Sequence, residues 1–447
     1  MFGRGRAKVL AITGACAVAA ALATTVAAPA GAAAPPTPVQ VCLAPGGAQP
    51  DQRSDPAALS ADGRYALIDS LAGNLTPQGG NGGVFVCDLR TGHIEQADLS
   101  ESGSLPDSYS SGGALSADGR YAVFTSAADN LAPGATKGVQ NVYLRDLRTH
   151  RTQLISAGNG SAPQVGDSDQ PTISADGRYI AYTSNRPDLV PGGTGTFADV
   201  FVYDRHTGST VRASVHSDGS PAVNGSVEPS ISADGSRVTF ISRDPSLASA
   251  SASASASTAG QTLVPHRARF YPLYVHDLRT GRTSLASIEP DGSTAAVSQG
   301  VLSADGRYAV FTSLDNDFLA PSQIMVRDLD RGTTTLVSTA PGGAQGDQDS
   351  LTIGMSADDR SVFFTSSADN LLPGSTAQAF GYYRHDLRTN STERLLQLPD
   401  PASGGQGLPA AVDGRGNTLL FGADGSRLLP GDTNQSPEAF ALQLPRR

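Results

Sequence analysis

The chain has 447 residues, 39% hydrophobic and 17% charged, with 50 Gly, 29 Pro, no Trp and a formal net charge of −10. Length alone predicts about three domains of roughly 150 residues, whereas the Gly and Pro content fits a globular chain rich in turns, as short-stranded all-β folds are. The acidic balance argues against nucleic acid, whose binding depends on neutralising phosphates with Lys and Arg.

The first 34 residues read as an export signal. Arg4, Arg6 and Lys8 precede an apolar stretch from Val9 to about Ala28, and small residues at Ala30, Ala32 and Ala34 suit a signal peptidase. Met1 to Ala34 are therefore set apart from the fold, and losing three positive charges moves the mature chain from −10 to −13. If retained, the stretch barely reaches across a bilayer as a helix; nothing later is apolar enough to span. Thr13-Gly-Ala-Cys16 weakly resembles a lipid-attachment box, but the apolar run continues past Cys16, so a lipidated anchor is the alternative to a cleaved, secreted form.

From residue 59 onward one phrase recurs. It appears as Leu59-Ser-Ala-Asp-Gly-Arg-Tyr65, Leu115-Ser-Ala-Asp-Gly-Arg-Tyr121, Ile173-Ser-Ala-Asp-Gly-Arg-Tyr179, Ile231-Ser-Ala-Asp-Gly-Ser-Arg237, Leu302-Ser-Ala-Asp-Gly-Arg-Tyr308 and Met355-Ser-Ala-Asp-Asp-Arg-Ser361, with a worn copy at Ala411-Val-Asp-Gly-Arg415. Its Asp residues, 62, 118, 176, 234, 305, 358 and 413, are spaced by 56, 58, 58, 71, 53 and 55. The long interval contains a Ser/Ala low-complexity insertion, 248–260, that need not pack. Each copy continues with a strand-like run such as Tyr121-Ala-Val-Phe-Thr-Ser126, a Pro/Gly-rich loop, a third strand ending in Asp such as Val142-Tyr-Leu-Arg-Asp146, and a turn into a fourth such as Thr283-Ser-Leu-Ala-Ser287. Four short antiparallel strands per repeat are the unit of a propeller blade. So thin a sheet needs neighbours on both faces. The expected fold is an all-β, seven-bladed β-propeller occupying 35–447, with Phe124, Tyr182, Phe240, Phe311 and Phe364 as inter-blade core rather than a stacking platform for sugars or bases.

The seventh repeat supplies three strands, around Leu408 to Ala411, Thr418 to Phe421 and Ala439 to Leu444, and then stops. The segment Val39-Gln-Val-Cys-Leu-Ala-Pro-Gly-Gly-Ala-Gln49 matches Thr335-Leu-Val-Ser-Thr-Ala-Pro-Gly-Gly-Ala-Gln345 from the fourth strand of blade five. Val39 to Leu43 is therefore expected as the missing outer strand of blade seven, closing the ring and removing exposed edges. This brings Cys42 on blade seven near Cys87 on blade one, where a disulfide would staple the seam in an oxidising compartment; two buried free thiols are the alternative.

The Ser-Ala-Asp-Gly phrase, its aromatic strand and the following strand-Asp-Leu-Arg-Thr-Gly resemble the WD40-like repeat of TolB-type β-propellers, from about Val39 to Leu444. The resemblance implies an exported propeller that works by protein contacts. Relatives of the same repeat serve as the non-catalytic propeller of prolyl oligopeptidases and as the scaffold of oligogalacturonate lyases. The chain departs from the pattern in lacking the small N-terminal domain of TolB, and in carrying Ala where many copies have Pro in Ser-Pro-Asp-Gly.

Chemistry is sparse. The repeated Asp precedes a turn Gly and reads as a turn residue accepting backbone N–H bonds; it lacks the spacer and Trp of a sialidase Asp-box. No Gly-x-Ser-x-Gly elbow occurs. The histidines at 93, 150, 206, 216, 266, 276 and 385 are scattered, so neither a metal nor another cofactor is expected. Asp432-Thr-Asn-Gln-Ser-Pro-Glu438 is calcium-like, but without the central Gly it reads as ordinary loop polarity.

Charge placement is more informative. Loops leading from a fourth strand into the next first strand carry Asp51, Asp55, Asp107, Asp167, Asp169, Glu228, Asp347 and Asp349 on one rim. The other rim holds Arg64, Arg120, Arg178, Arg307 and Arg360 with Arg90, Arg148, Arg279 and Arg388. One mouth is thus expected to be acidic and to attract a basic partner or a cation, the other mixed to basic, with general solubility as the plainer explanation. The resulting expectation is an exported, monomeric, non-enzymatic scaffold that binds a protein or cell-envelope ligand on its acidic rim. The alternative is a polysaccharide-acting lyase or hydrolase at the channel mouth.

Overall fold

The computed structural model describes residues 36–80, 82–158, 165–193, 195–248, 271–314, 320–373, 380–398, 410–425, 428 and 436–445. The segment expected to be an export signal, nearly all of the Ser/Ala insertion and Asp432 to Gln435 of the calcium-like fragment lie outside them.

Seven four-stranded antiparallel sheets form a ring, a seven-bladed β-propeller. Blade one shows the pattern: Ser54–Leu59 lines the central channel, Tyr65–Ser70 and Gly83–Asp88 follow outward, and Ile94–Gln96 lies at the periphery. The second strand of blade two, Tyr121–Ser126, is buried along its whole length. Its β-branched and aromatic side chains fill both faces, because each blade is covered on both sides. There are seven apolar clusters among the described residues, one at each seam. Between blades one and two, for example, Leu67, Val84 and Val86 meet Ala122, Phe124 and Tyr143. All five repeated aromatics, from Phe124 to Phe364, are fully buried, as core residues should be.

The Ser-Ala-Asp-Gly phrase builds the first turn of each blade. In blade three the Ser174 hydroxyl and the Arg178 amide both donate to Asp176 Oδ1, at 2.7 and 2.9 Å. Burial pushes the Asp176 carboxyl up, but these bonds outweigh it and hold the group below its usual range. The Ala of the phrase has a second task. Ala61, Ala117, Ala175 and Ala233 each donate their amide to the matching Ala carbonyl of the next blade, at 2.8–3.0 Å. Pro there would delete the N–H and the belt with it.

Gly177 is fixed sterically: with φ +71, an added Cβ would lie 2.3 Å from Cδ2 of Tyr121 in the preceding blade. Gly177→Ala is expected to lower stability by about 2–3 kcal/mol, from a left-handed alanine plus the clash. A urea midpoint equal to that of the wild type would show that the two blades do not meet at this turn.

Closure uses the leading segment. Val39 pairs with Ala441 and Gln40 with Phe440, and the Val41 amide donates to Ala439 at 3.0 Å. The strand is shorter than the expected Val39 to Leu43, because Cys42 takes φ 61 and turns the chain out of the ladder. Cys42 and Cys87 are disulfide-bonded, with Cα atoms 5.6 Å apart.

Other seams carry a noncovalent latch at the same depth. Thr152, Thr283 and Thr334 donate to the Leu99, Val215 and Ile288 carbonyls of the preceding blade, each at 2.5 Å. Arg145, His276 and Arg327, the penultimate third-strand residues, bond to those threonines. Cys87 occupies that penultimate position in blade one, so at the seam where the chain ends meet, the latch is covalent.

Candidate functional site

In an antiparallel blade, the loops joining second to third strands and those leading into the next first strand emerge at the same end. The carboxylates expected on that rim divide into four groups.

Asp51, Asp107 and Asp347 are loop clamps. Each donates its amide to an Asn, namely Asn74, Asn130 and Asn370, 23 residues on, and each accepts an amide from the residue before that Asn. Asp167 and Asp349 tie blades together by accepting the amides of Gln140 and Ser322 from the preceding blade, at 2.9 and 2.8 Å. Asp55 pairs with Arg53 at 2.5 Å.

Asp169 and Glu228 remain, on the innermost strands of blades three and four, half-buried at the channel mouth. Burial pushes the Asp169 carboxyl up, and the neighbouring Asp167 adds to the shift. Burial alone pushes Glu228 up. Both strands bulge here: Gln170 and Glu228 have φ 53 and 57, a conformation that costs a non-glycine residue roughly 1 kcal/mol. The Gln170 side chain stitches the bulges together, accepting from Thr183 Oγ1 and from the Glu228 amide.

On the opposite rim the second-strand arginines are paired. Arg64, Arg120, Arg178, Arg307 and Arg360 pair with Asp88, Asp146, Asp204, Asp328 and Asp386 of their own blades at 2.6–2.7 Å. Arg64 holds the Asp88 carboxyl down to about 2. Arg279 of the same rim pairs with Asp234 at 2.6 Å, so much of the mixed-to-basic rim is taken up in ion pairs, whereas Asp169 and Glu228 on the other mouth have no such partner among the described residues.

Several contributors escaped the sequence reading. Tyr109, Leu71, Phe197 and Val223 project from the acidic end, with Tyr109 63% and Val223 64% exposed. A cavity of about 300 Å³ opens between blades three, four and five, lined by Phe197, Val227, Glu228, Ile241, Arg243, Tyr271, Val297 and Ser298. The Arg243 guanidinium lies over the Tyr271 ring, 5.1 Å from its centroid. Asp69, on the second strand of blade one, accepts the Gly112 amide of blade two. Burial and then the charges of Asp55 and Asp98 push it up to about 6, against the opposing amide bond.

The histidines do not converge. His276 and His385 are buried with Nδ1 against Thr283 and Thr392, while His150 and His216 face Glu95 and Asp244. No group of three or more His, Cys, Asp or Glu able to hold a metal occurs among the described residues.

No family model and no curated protein matches the chain. Solved structures do. An oligogalacturonate lyase from Vibrio parahaemolyticus aligns with TM-score 0.54 at 12% identity, over 92% of this chain and 99% of that one. An oligogalacturonate lyase in complex with manganese gives 0.53 at 12% identity, over 92% and 97%. The β-propeller domain of the trilobed protease from Pyrococcus furiosus gives 0.50 at 12% identity, over 88% and 92%. Likeness at this identity establishes the fold alone, that of the β-propellers.

Proposed function

We propose that the protein is an exported, monomeric docking propeller that takes a basic, partly apolar segment of a partner protein across its acidic mouth. The observation that carries the reading is the pairing, at one end of the ring, of inner-strand carboxylates without a cationic partner among the described residues with exposed Tyr109, Leu71, Phe197 and Val223. An apolar rim beside a concentrated negative field suits a protein ligand of opposite charge. The TolB-type character of the repeat supports work by protein contacts. The leading Arg/Lys-then-apolar segment and the Cys42–Cys87 bond support an oxidising, extracytoplasmic location.

The test is selection of displayed random peptides on the purified protein. Enriched sequences are expected to be rich in Lys or Arg with neighbouring apolar residues. Their binding should fall about tenfold when Asp169→Asn and Tyr109→Ser are combined, as loss of an aromatic anchor and a charge would give. Peptides that bind the double variant as well as the wild type would remove the reading.

A polysaccharide-acting enzyme at the same mouth is the second reading, favoured by Glu228, whose raised carboxyl is suited to hold a proton. It fits an oligogalacturonate poorly, since that chain carries a carboxylate on each sugar and would face Asp55, Asp169 and Glu228. Release of unsaturated product from oligogalacturonate, abolished by Glu228→Gln, would favour it over docking.

A further inference from the structure

The cavity between blades three, four and five is lined by two polar side chains without a hydrogen-bond partner among the described residues, one half-buried and one with its hydroxyl fully buried. The Glu228 carboxylate accepts no hydrogen bond from the described residues, and burial is the sole influence on its acidity. The Ser298 hydroxyl, on the adjacent inner strand of blade five, is buried with no hydrogen-bond partner. Between and around them the walls are aliphatic, from Val227, Ile241 and Val297. A ligand group with several N–H donors on a short apolar stem would satisfy both sites and cover the walls.

We propose that this cavity is a pocket for a single lysine side chain of the docked segment, which rests on the docking reading above. The alkylammonium places its charge on Glu228 and a further N–H on Ser298, while its methylenes pass between Val227, Ile241 and Val297. About 300 Å³ accommodates a side chain of that length. A sugar fits less well: it would leave the carboxylate charge uncompensated, and the Tyr271 face on which it would stack is covered by the Arg243 guanidinium.

The experiment titrates the full chain with the tripeptide Ac-Gly-Lys-Gly-NH₂ and with its Nε-acetylated form, followed by ligand-observed NMR. The free lysine peptide is expected to bind about tenfold more tightly than the acetylated one. Glu228→Gln should erase the difference and Ser298→Ala reduce it about threefold, with both variants retaining the wild-type melting profile. Equal binding of the two peptides, or an undiminished preference in Glu228→Gln, overturns the pocket. The two ideas fail separately: displayed peptides that depend on Tyr109 and Asp169 but not on lysine leave docking standing and remove the pocket. Lysine binding without any selected peptide does the reverse.

Discussion

Breaking the Cys42–Cys87 bond, by Cys42→Ser with Cys87→Ala or by reduction, is expected to lower stability by about 2–4 kcal/mol, the largest loss of any seam contact. The bonded residues are 45 apart in sequence. A crosslink over that span removes chain entropy from the unfolded state worth about 4 kcal/mol, before any native strain is subtracted. The backbone ladder alone is a weak substitute, because only Val39 and Gln40 pair with Ala441 and Phe440. A comparable latch elsewhere, the Thr152 hydroxyl on the Leu99 carbonyl, is a single hydrogen bond worth about 1 kcal/mol. Thr152→Val should therefore cost much less than the cysteine pair. Hydrogen exchange locates the effect: amides of residues 438–443, in the strand that pairs with the leading one through Phe440 and Ala441, should exchange faster once the bond is gone while those of Tyr121–Ser126 do not. An unchanged denaturation midpoint in reductant would refute the covalent latch.

The ring was legible because its information repeats. Seven copies of one phrase fix the strand grammar, and the match of Val39 to Gln49 with Thr335 to Gln345 identifies the closing strand. Its end was not legible, since nothing in the letters marks Cys42 as left-handed. The rim was read at the level of charge, and there sequence position is too coarse. Asp51, Asp107 and Asp347 looked like a ligand field, yet each has an Asn 23 residues on. That offset, visible in three repeats, is the signal of a structural clamp. Asp69 stands in a column that four other blades fill with Thr125, Thr183, Thr312 and Thr365 and the remaining two with Ile241 and Gly422, so it was findable as the one charged residue among equivalent positions. The cavity was not findable. Phe197, Glu228, Arg243, Tyr271 and Ser298 come from three blades and occupy unrelated places in the repeat, and only folding brings them together.

Asp69 also gives the fold a pH dependence whose sign can be worked out. Its folded-state carboxyl titrates at about 6, against an ordinary 3.8, because burial and the neighbouring Asp55 and Asp98 charges disfavour the anion more than the Gly112 amide favours it. Between about pH 4 and 6 the unfolded chain has released this proton and the folded chain still holds it. The folded state then binds more protons, so stability falls as pH rises through that window and levels off above it. The full cost is about 2–3 kcal/mol at neutral pH, from 1.36 kcal/mol per pKa unit. Asp69→Asn keeps a carbonyl oxygen for the Gly112 amide and removes the charge. It should stabilise the protein by about 2 kcal/mol at pH 7.5 and by almost nothing at pH 4. The measurement is the difference between wild-type and Asp69→Asn urea midpoints across that range, which cancels the titration of distant groups such as Glu228. A difference that stays constant with pH, or a less stable Asn variant at pH 7.5, would mean that Asp69 meets the blade-two strand already ionised and compensated.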